Sequence, residues 1–102
     1  MVMIEKIDVK LSGKKGTSHL KGVLVVDSTN TYISRETAKK ICDDSEIKTI
    51  PLGLIPSQVS VDVASVEIEV KDKKDRISVI ILDLPSTYVG TGTLCELGIK
   101  LI

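Results

Sequence analysis

Val23-Leu24-Val25-Val26 is an apolar run of the kind that forms a buried strand, and it ends on a carboxylate, Asp27, followed by two small hydroxyl residues, Ser28 and Thr29. A strand covered on both faces seldom closes on an ionised side chain, because taking a carboxylate out of water costs several kcal/mol unless hydrogen bonds replace the lost hydration. Two readings follow. Asp27 opens an Asx-turn and serves only the backbone, or Asp27, Ser28 and Thr29 form a candidate catalytic group. The remaining reactive side chains are less suggestive. Asp83 also ends an apolar run, Ile77 to Leu82, but Pro85 beside it reads as a turn. His19 has no second histidine and no carboxylate pattern around it, and Cys42 and Cys95 lie far apart with no CxxC pair, so no metal site and no cofactor are expected.

Most of the elements that would hold Asp27 are strands. Val2, Ile4, Ile7, Val9 and Leu11 follow an imperfect period of two, and Gly13-Lys14-Lys15-Gly16 supplies a turn into a second strand running through Leu20 to Val26. Ser34 is placed to cap a short helix over Arg35 to Ile41, with Glu36 in the first turn and Lys39 and Lys40 near the end, as the helix dipole favours. Ile47 to Leu52 reads as a strand. Pro51 to Pro56 then brackets Leu52, Gly53, Leu54 and Ile55, either a hairpin tip or a loop whose aliphatics pack on the core. Val59, Val61 and Val63 are odd-numbered whereas Val66, Ile68 and Val70 are even, which calls for a bulge, bend or break at Ala64-Ser65. Lys71 to Asp75 is a charged turn before the strand Ile77 to Leu82. Near the end, Thr93 and Glu96 fit a capping box for a helix over Thr93 to Leu97, Gly98 stops it, and Ile99 to Ile102 forms a terminal apolar strand. The fold class expected is mainly β.

These segments, in this order, resemble the retropepsin-like aspartic proteases, especially small single-domain forms of archaea and other microbes. The likeness lies in Val25-Val26-Asp27-Ser28, in Ile33-Ser34-Arg35-Glu36-Thr37-Ala38, in Tyr88-Val89-Gly90 and in Thr93-Leu94-Cys95-Glu96-Leu97-Gly98, and it spans most of the chain. It implies a closed acid-protease barrel with two short helices, Asp27 as the catalytic aspartate, Ser28 as the hydroxyl beneath it, and Leu52 to Ile55 as the flap that touches a peptide or protein substrate. It also implies a homodimer. Such hydrolysis needs two carboxylates sharing one proton, and one Asp27 per chain supplies half of that pair; the apolar segments Met1 to Ile4 and Ile99 to Ile102 would form the interface. The departures fall on the site: Thr29 stands where the family has glycine, no alanine follows, and the connection from Asp27 to Ile33 is about two residues short. Those departures imply a fold kept with weak or no activity; a working peptidase and an unrelated partner-binding β module are the other readings.

Composition narrows the field. A chain of 102 residues, 42% hydrophobic, can bury roughly 65% of its unfolded surface, enough for one domain. Fourteen basic and fourteen acidic residues leave no net charge to attract nucleic acid or an anionic membrane, and two tyrosines are the whole aromatic complement, too few to stack bases. The apolar runs are far short of the roughly 20 residues of a membrane span. Unpaired cysteines and the absence of a signal-like start point to the cytoplasm. The scarcity of side-chain amides beside abundant Lys, Glu, Ile and Val leans towards a thermophilic source.

Overall fold

The structure, a computed structural model, describes residues 6–26, 28–51 and 60–99. Met1 to Ile4, Leu52 to Ile55 and the terminal strand beyond Ile99, all assigned roles above, lie outside the described residues, as does Asp27 itself. In chain order the elements are β1 (Lys6–Gly13), β2 (Gly16–Val25), β3 (Thr31–Ser34), α1 (Arg35–Ile41), a single 3₁₀ turn (Asp44–Glu46), β4 (Ile47–Pro51), β5 (Ser60–Val70), β6 (Lys73–Leu82), β7 (Thr87–Gly90) and α2 (Thr91–Glu96).

The described strands form one sheet in the order β1-β2-β7-β3-β6-β5-β4, and β5 also pairs with β1 from Lys10↔Glu69 to Ser12↔Glu67, which closes the sheet into a barrel. The β2–β7 and β3–β6 pairings are parallel; the others are antiparallel. Alternate residues of each strand turn inward, as the pleat requires. Val9 and Leu11 of β1, Ile33 of β3, Val66, Ile68 and Val70 of β5, Val79 and Ile81 of β6 and Val89 of β7 fill an aliphatic core, with Ile41 of α1 and Leu94 of α2 closing over it.

The first helix has the expected limits. Ser34 Oγ accepts from the Thr37 amide at 3.2 Å, and Ala38 and Ile41 face the core. Its C-terminal carbonyls are satisfied by the β1–β2 turn: the Lys15 amide donates to Ile41 O at 3.0 Å and Lys15 Nζ to Lys39 O at 2.8 Å. A Cβ on Gly13 would strike the Ile41 carbonyl, so the hairpin approaches the helix this closely only with glycine there. The second helix differs from expectation. It begins at Thr91, with Gly90 as N-cap and no side-chain cap, so Thr93 and Glu96 are not a capping box; the Thr93 hydroxyl is engaged elsewhere. A capping box is found instead on the 3₁₀ turn, between Asp43 and Glu46. Gly98, at φ +79°, ends α2 as expected.

Two further differences concern β5 and β6. Of the bulge, bend or break expected at Ala64-Ser65, the bulge and the break are absent: β5 is one long strand that pairs with β6 continuously from Asp62↔Ile81 to Val70↔Lys73. The change of apolar phase therefore marks a change in which face of the strand is apolar. The charged turn is also shorter than Lys71 to Asp75, since only Lys71 and Asp72 lie outside the strands, both with left-handed φ of 47° and 68°. Asn-Gly occupies such a two-residue turn without that cost. Replacing Lys71 by Asn together with Asp72 by Gly should therefore raise the unfolding free energy by about 1 kcal/mol, read as a higher urea midpoint at unchanged m; an unchanged or lower midpoint would contradict the assignment.

Candidate functional site

The sheet order sets the geometry of the connection from β2 to β3. β7 lies between β2 and β3, so the chain leaving β2 at Val25 must pass over the end of β7 before re-entering as β3 at Thr31. Ser28 to Asn30 are the described residues that meet it. Backbone meets backbone there, and the end of β7 is bare: a Cβ on Gly90 would fall against the carbonyl oxygens of Asn30 and Ser28, and one on Gly92 would lie 2.8 Å from Thr29 Cα. The Gly92 amide donates to Ser28 O at 2.9 Å and ties the loop to the first turn of α2.

The hydroxyls organise the same place. Ser28 Oγ donates to Asn30 O at 3.1 Å and accepts from the Asn30 amide at 3.3 Å, so it folds the loop on itself. One step further in, Thr31 Oγ1 and Thr93 Oγ1 are 2.7 Å apart, both residues buried, joining the start of β3 to α2. Thr29 is exposed and adopts no left-handed φ. Of the residues proposed from sequence, Ser28 and Thr29 are thus brought together against Gly90 and Gly92, directly beside Asp27 in the chain.

Sequence reasoning missed the surface next to this loop. Register carries Val23 to Tyr88, Tyr88 to Tyr32, Tyr32 to Ile80 and Ile80 to Val63, a row across five strands. Their neighbours in sequence, Thr87 and Val89, Thr31 and Ile33, Val79 and Ile81, are buried, so the row faces outward; all five side chains are half-buried. Lys6, opposite Val23, and Lys48, opposite Val63, end it. Four gaps between strands make it about 19 Å long. A contiguous apolar row of this length on an outer face is unusual unless something binds there. Val26, after β2, is 71% exposed and Ile50, on β4, 44% exposed. The signal was in the sequence: Val61 and Val63 are out of phase with Val66, Ile68 and Val70 because they belong to this face, and Val79 to Leu82 is continuously apolar because both of its faces are in use.

The other candidates have structural partners. Asp83 accepts from Arg35 Nε at 3.1 Å, while Arg35 Nη1 donates to Asp62 at 3.0 Å and Thr49 Oγ1 to Asp62 at 2.7 Å. The network ties the start of α1 to β4, β5 and the end of β6. The Thr49 hydrogen bond, and then the Arg35 guanidinium, hold the Asp62 carboxyl below the usual range. Cys42 is buried, and desolvation, with Glu46 nearby, pushes its thiol up and leaves it protonated; Cys95 is exposed, and the two are not bonded to each other. His19 sits exposed on β2 opposite Lys10. Among the described residues no group of three or more His, Cys, Asp or Glu could hold a metal, and no helix is long and apolar enough to cross a membrane.

No protein-family model and no curated protein matches the sequence. The fold does have relatives among solved structures. The chain is similar to EIAV protease complexed with the inhibitor HBY-793, with a TM-score of 0.69 and 16% identity over 100% of this chain and 95% of that one. The barrel, with its two short helices and its loop crossing over β7, is the retropepsin-like acid-protease fold.

Two expectations follow. Thr93→Val should cost about 1–3 kcal/mol by leaving the Thr31 hydroxyl buried and unpaired, and Thr31→Val/Thr93→Val together should cost less than Thr93→Val alone; chemical denaturation of the unaltered chain and the two variants checks this, and a costlier double variant would refute it. For Asp62, a folded-state pKa below the unfolded one means a stabilising contribution that is complete above the ordinary carboxylate range and lost as the pH falls, from about pH 4 downward. Asp62→Asn should therefore flatten the acid side of the stability profile, and a profile parallel to the parent's would rule that contribution out.

Proposed function

We propose that the chain works as a homodimer related to the aspartic peptidases, in which Asp27 of each subunit faces its symmetry mate and peptidase activity is weak or absent. The observation that carries this reading is the retropepsin-like barrel with the Ser28 to Asn30 crossing lodged on Gly90 and Gly92, immediately after Asp27. Like charges about 3 Å apart cannot both ionise, so such a pair would hold one proton, activate a water with one carboxylate and donate to a peptide carbonyl with the other. Thr29, in place of glycine, and the shortened connection to Ile33 reduce the freedom of the loop to reach that geometry, and geometry must precede pKa in any general-base argument.

The ligand this reading calls for is an extended peptide. The outward row from Val23 to Val63 is about as long as six extended residues, at roughly 3.3 Å each, and its half-exposed aliphatic and tyrosine side chains suit apolar side chains of such a segment. Leu52, Gly53, Leu54 and Ile55 are assigned contact with the same ligand. Exposed Val26 suits a subunit contact beside Asp27. The two unpaired thiols fit a reducing, cytoplasmic setting. A second reading, a fully working peptidase, is favoured by one observation: the loop remains fastened by the Gly92 to Ser28 hydrogen bond.

Light scattering at micromolar concentration should give the mass of a dimer. Incubation with an unfolded protein between acidic and neutral pH should give little or no cleavage. Efficient cleavage that disappears in Asp27→Asn would replace the first reading with the second, and a monomer would remove both.

A further inference from the structure

We propose that the outward row selects an extended peptide whose apolar centre is flanked at both ends by acidic residues. The inference rests on the peptide-binding reading above and adds to it the charge that the ligand carries at its ends.

Register continues the row beyond Val23 and Val63. Lys6 of β1 stands opposite Val23 and Lys48 of β4 opposite Val63, so across the sheet it reads Lys6, Val23, Tyr88, Tyr32, Ile80, Val63, Lys48. Both lysines are exposed, and among the described residues neither is ion-paired with a carboxylate. Negative charge is scarce on this face. The next outward residues of β6, Ser78 and Leu82, and of β5, Val61 and Ser65, carry none. Asp62 adjoins Val63 in sequence but points to the opposite face, where Arg35 and Thr49 hold it. Asp8 is the next outward residue of β1 after Lys6, and Lys21 already engages it at 3.9 Å.

The spacing matches a peptide. Six gaps between strands put the two lysine positions about 29 Å apart along the row, the span of roughly nine extended residues. An apolar segment of about six residues that covers Val23 to Val63 therefore brings the residues on either side of it to Lys6 and Lys48. Burial of apolar surface supplies the strength of such a complex. The attraction between exposed charges at its ends is modest and screened by salt, so it acts on which peptide is chosen. A lysine on an edge strand such as β4 also discourages pairing with another chain, but that role sets no preference among peptides lying across the strands.

Tyr32 and Tyr88 are the only aromatic residues of the chain, so its intrinsic fluorescence comes wholly from this row. The test titrates the full chain at neutral pH with capped, non-aromatic peptides that share an apolar centre of about six residues and are flanked on both sides by glutamates, by glutamines or by lysines. The glutamate-flanked peptide should bind about tenfold more tightly than the glutamine-flanked one in dilute buffer, and the difference should close in about 1 M salt. Lys6→Gln and Lys48→Gln should each weaken the glutamate-flanked peptide about threefold and leave the glutamine-flanked one unchanged. Lys14→Gln, in the turn at the other end of β1, should alter neither. Equal affinity for the three peptides, a preference for lysine flanks, or a preference that survives both row variants overturns the proposal. Binding without the charge preference leaves the peptide-binding reading standing, whereas fluorescence that no peptide alters removes the proposal and that reading together. The readout does not depend on cleavage, so a failed peptidase assay is a separate result.

Discussion

The insertion of β7 between β2 and β3 is the constraint on which the rest of the site depends. Two strands adjacent in sequence are separated in the sheet by a third that arrives much later in the chain, and the short connection between them has to climb over the end of that third strand. Backbone-on-backbone contact of this kind leaves no volume for side chains, which is why β7 runs out into Gly90 and α2 begins with Gly92 close behind. The polar groups stranded by the crossing are paired locally, through Ser28 with Asn30, Gly92 with Ser28 and Thr31 with Thr93. The crossing thus fastens Ser28 to Asn30, the residues that follow Asp27 in the chain, against the end of β7 and the start of α2.

The barrel's remaining features support that crossing. The β1–β2 turn closes the end of α1, and Arg35 spans from the start of that helix to carboxylates on β5 and after β6, so α1 is tied at both ends. Opposite faces of the same strands are put to different uses. Inward residues form an aliphatic core, while outward residues divide into cross-strand charged pairs such as Lys10 with Glu69 and the apolar row centred on Tyr32 and Tyr88. The only two aromatic residues of the chain are direct cross-strand neighbours in that row.

Much of this was legible in the sequence where one local interaction decides the outcome. Ser34 and the charges of Arg35 to Lys40 specify α1 because capping and dipole effects are short-range, and an apolar run closing on Asp27 marks the loop because burying a carboxylate is costly whatever the fold. The errors arose where a distant partner decides. Thr93 has the spacing of a cap, but its hydroxyl is claimed by Thr31. The phase change at Ala64-Ser65 looks like a bulge if one face of β5 is assumed to be covered throughout, and only the register with β6 reveals an apolar outer face. Gly92 reads as an ordinary glycine until the crossing is seen.

The most direct test of the account is a crystal structure of the protein in which the relative placement of Asp27 carboxylates from neighbouring chains is measured. The account predicts that they face each other across a twofold axis, near enough for at most one water to bridge them, with the Ser28 to Asn30 backbone seated on Gly92 in both subunits. Asp27 side chains on opposite sides of the dimer, or a crystal built from chains that share no such axis, would contradict it.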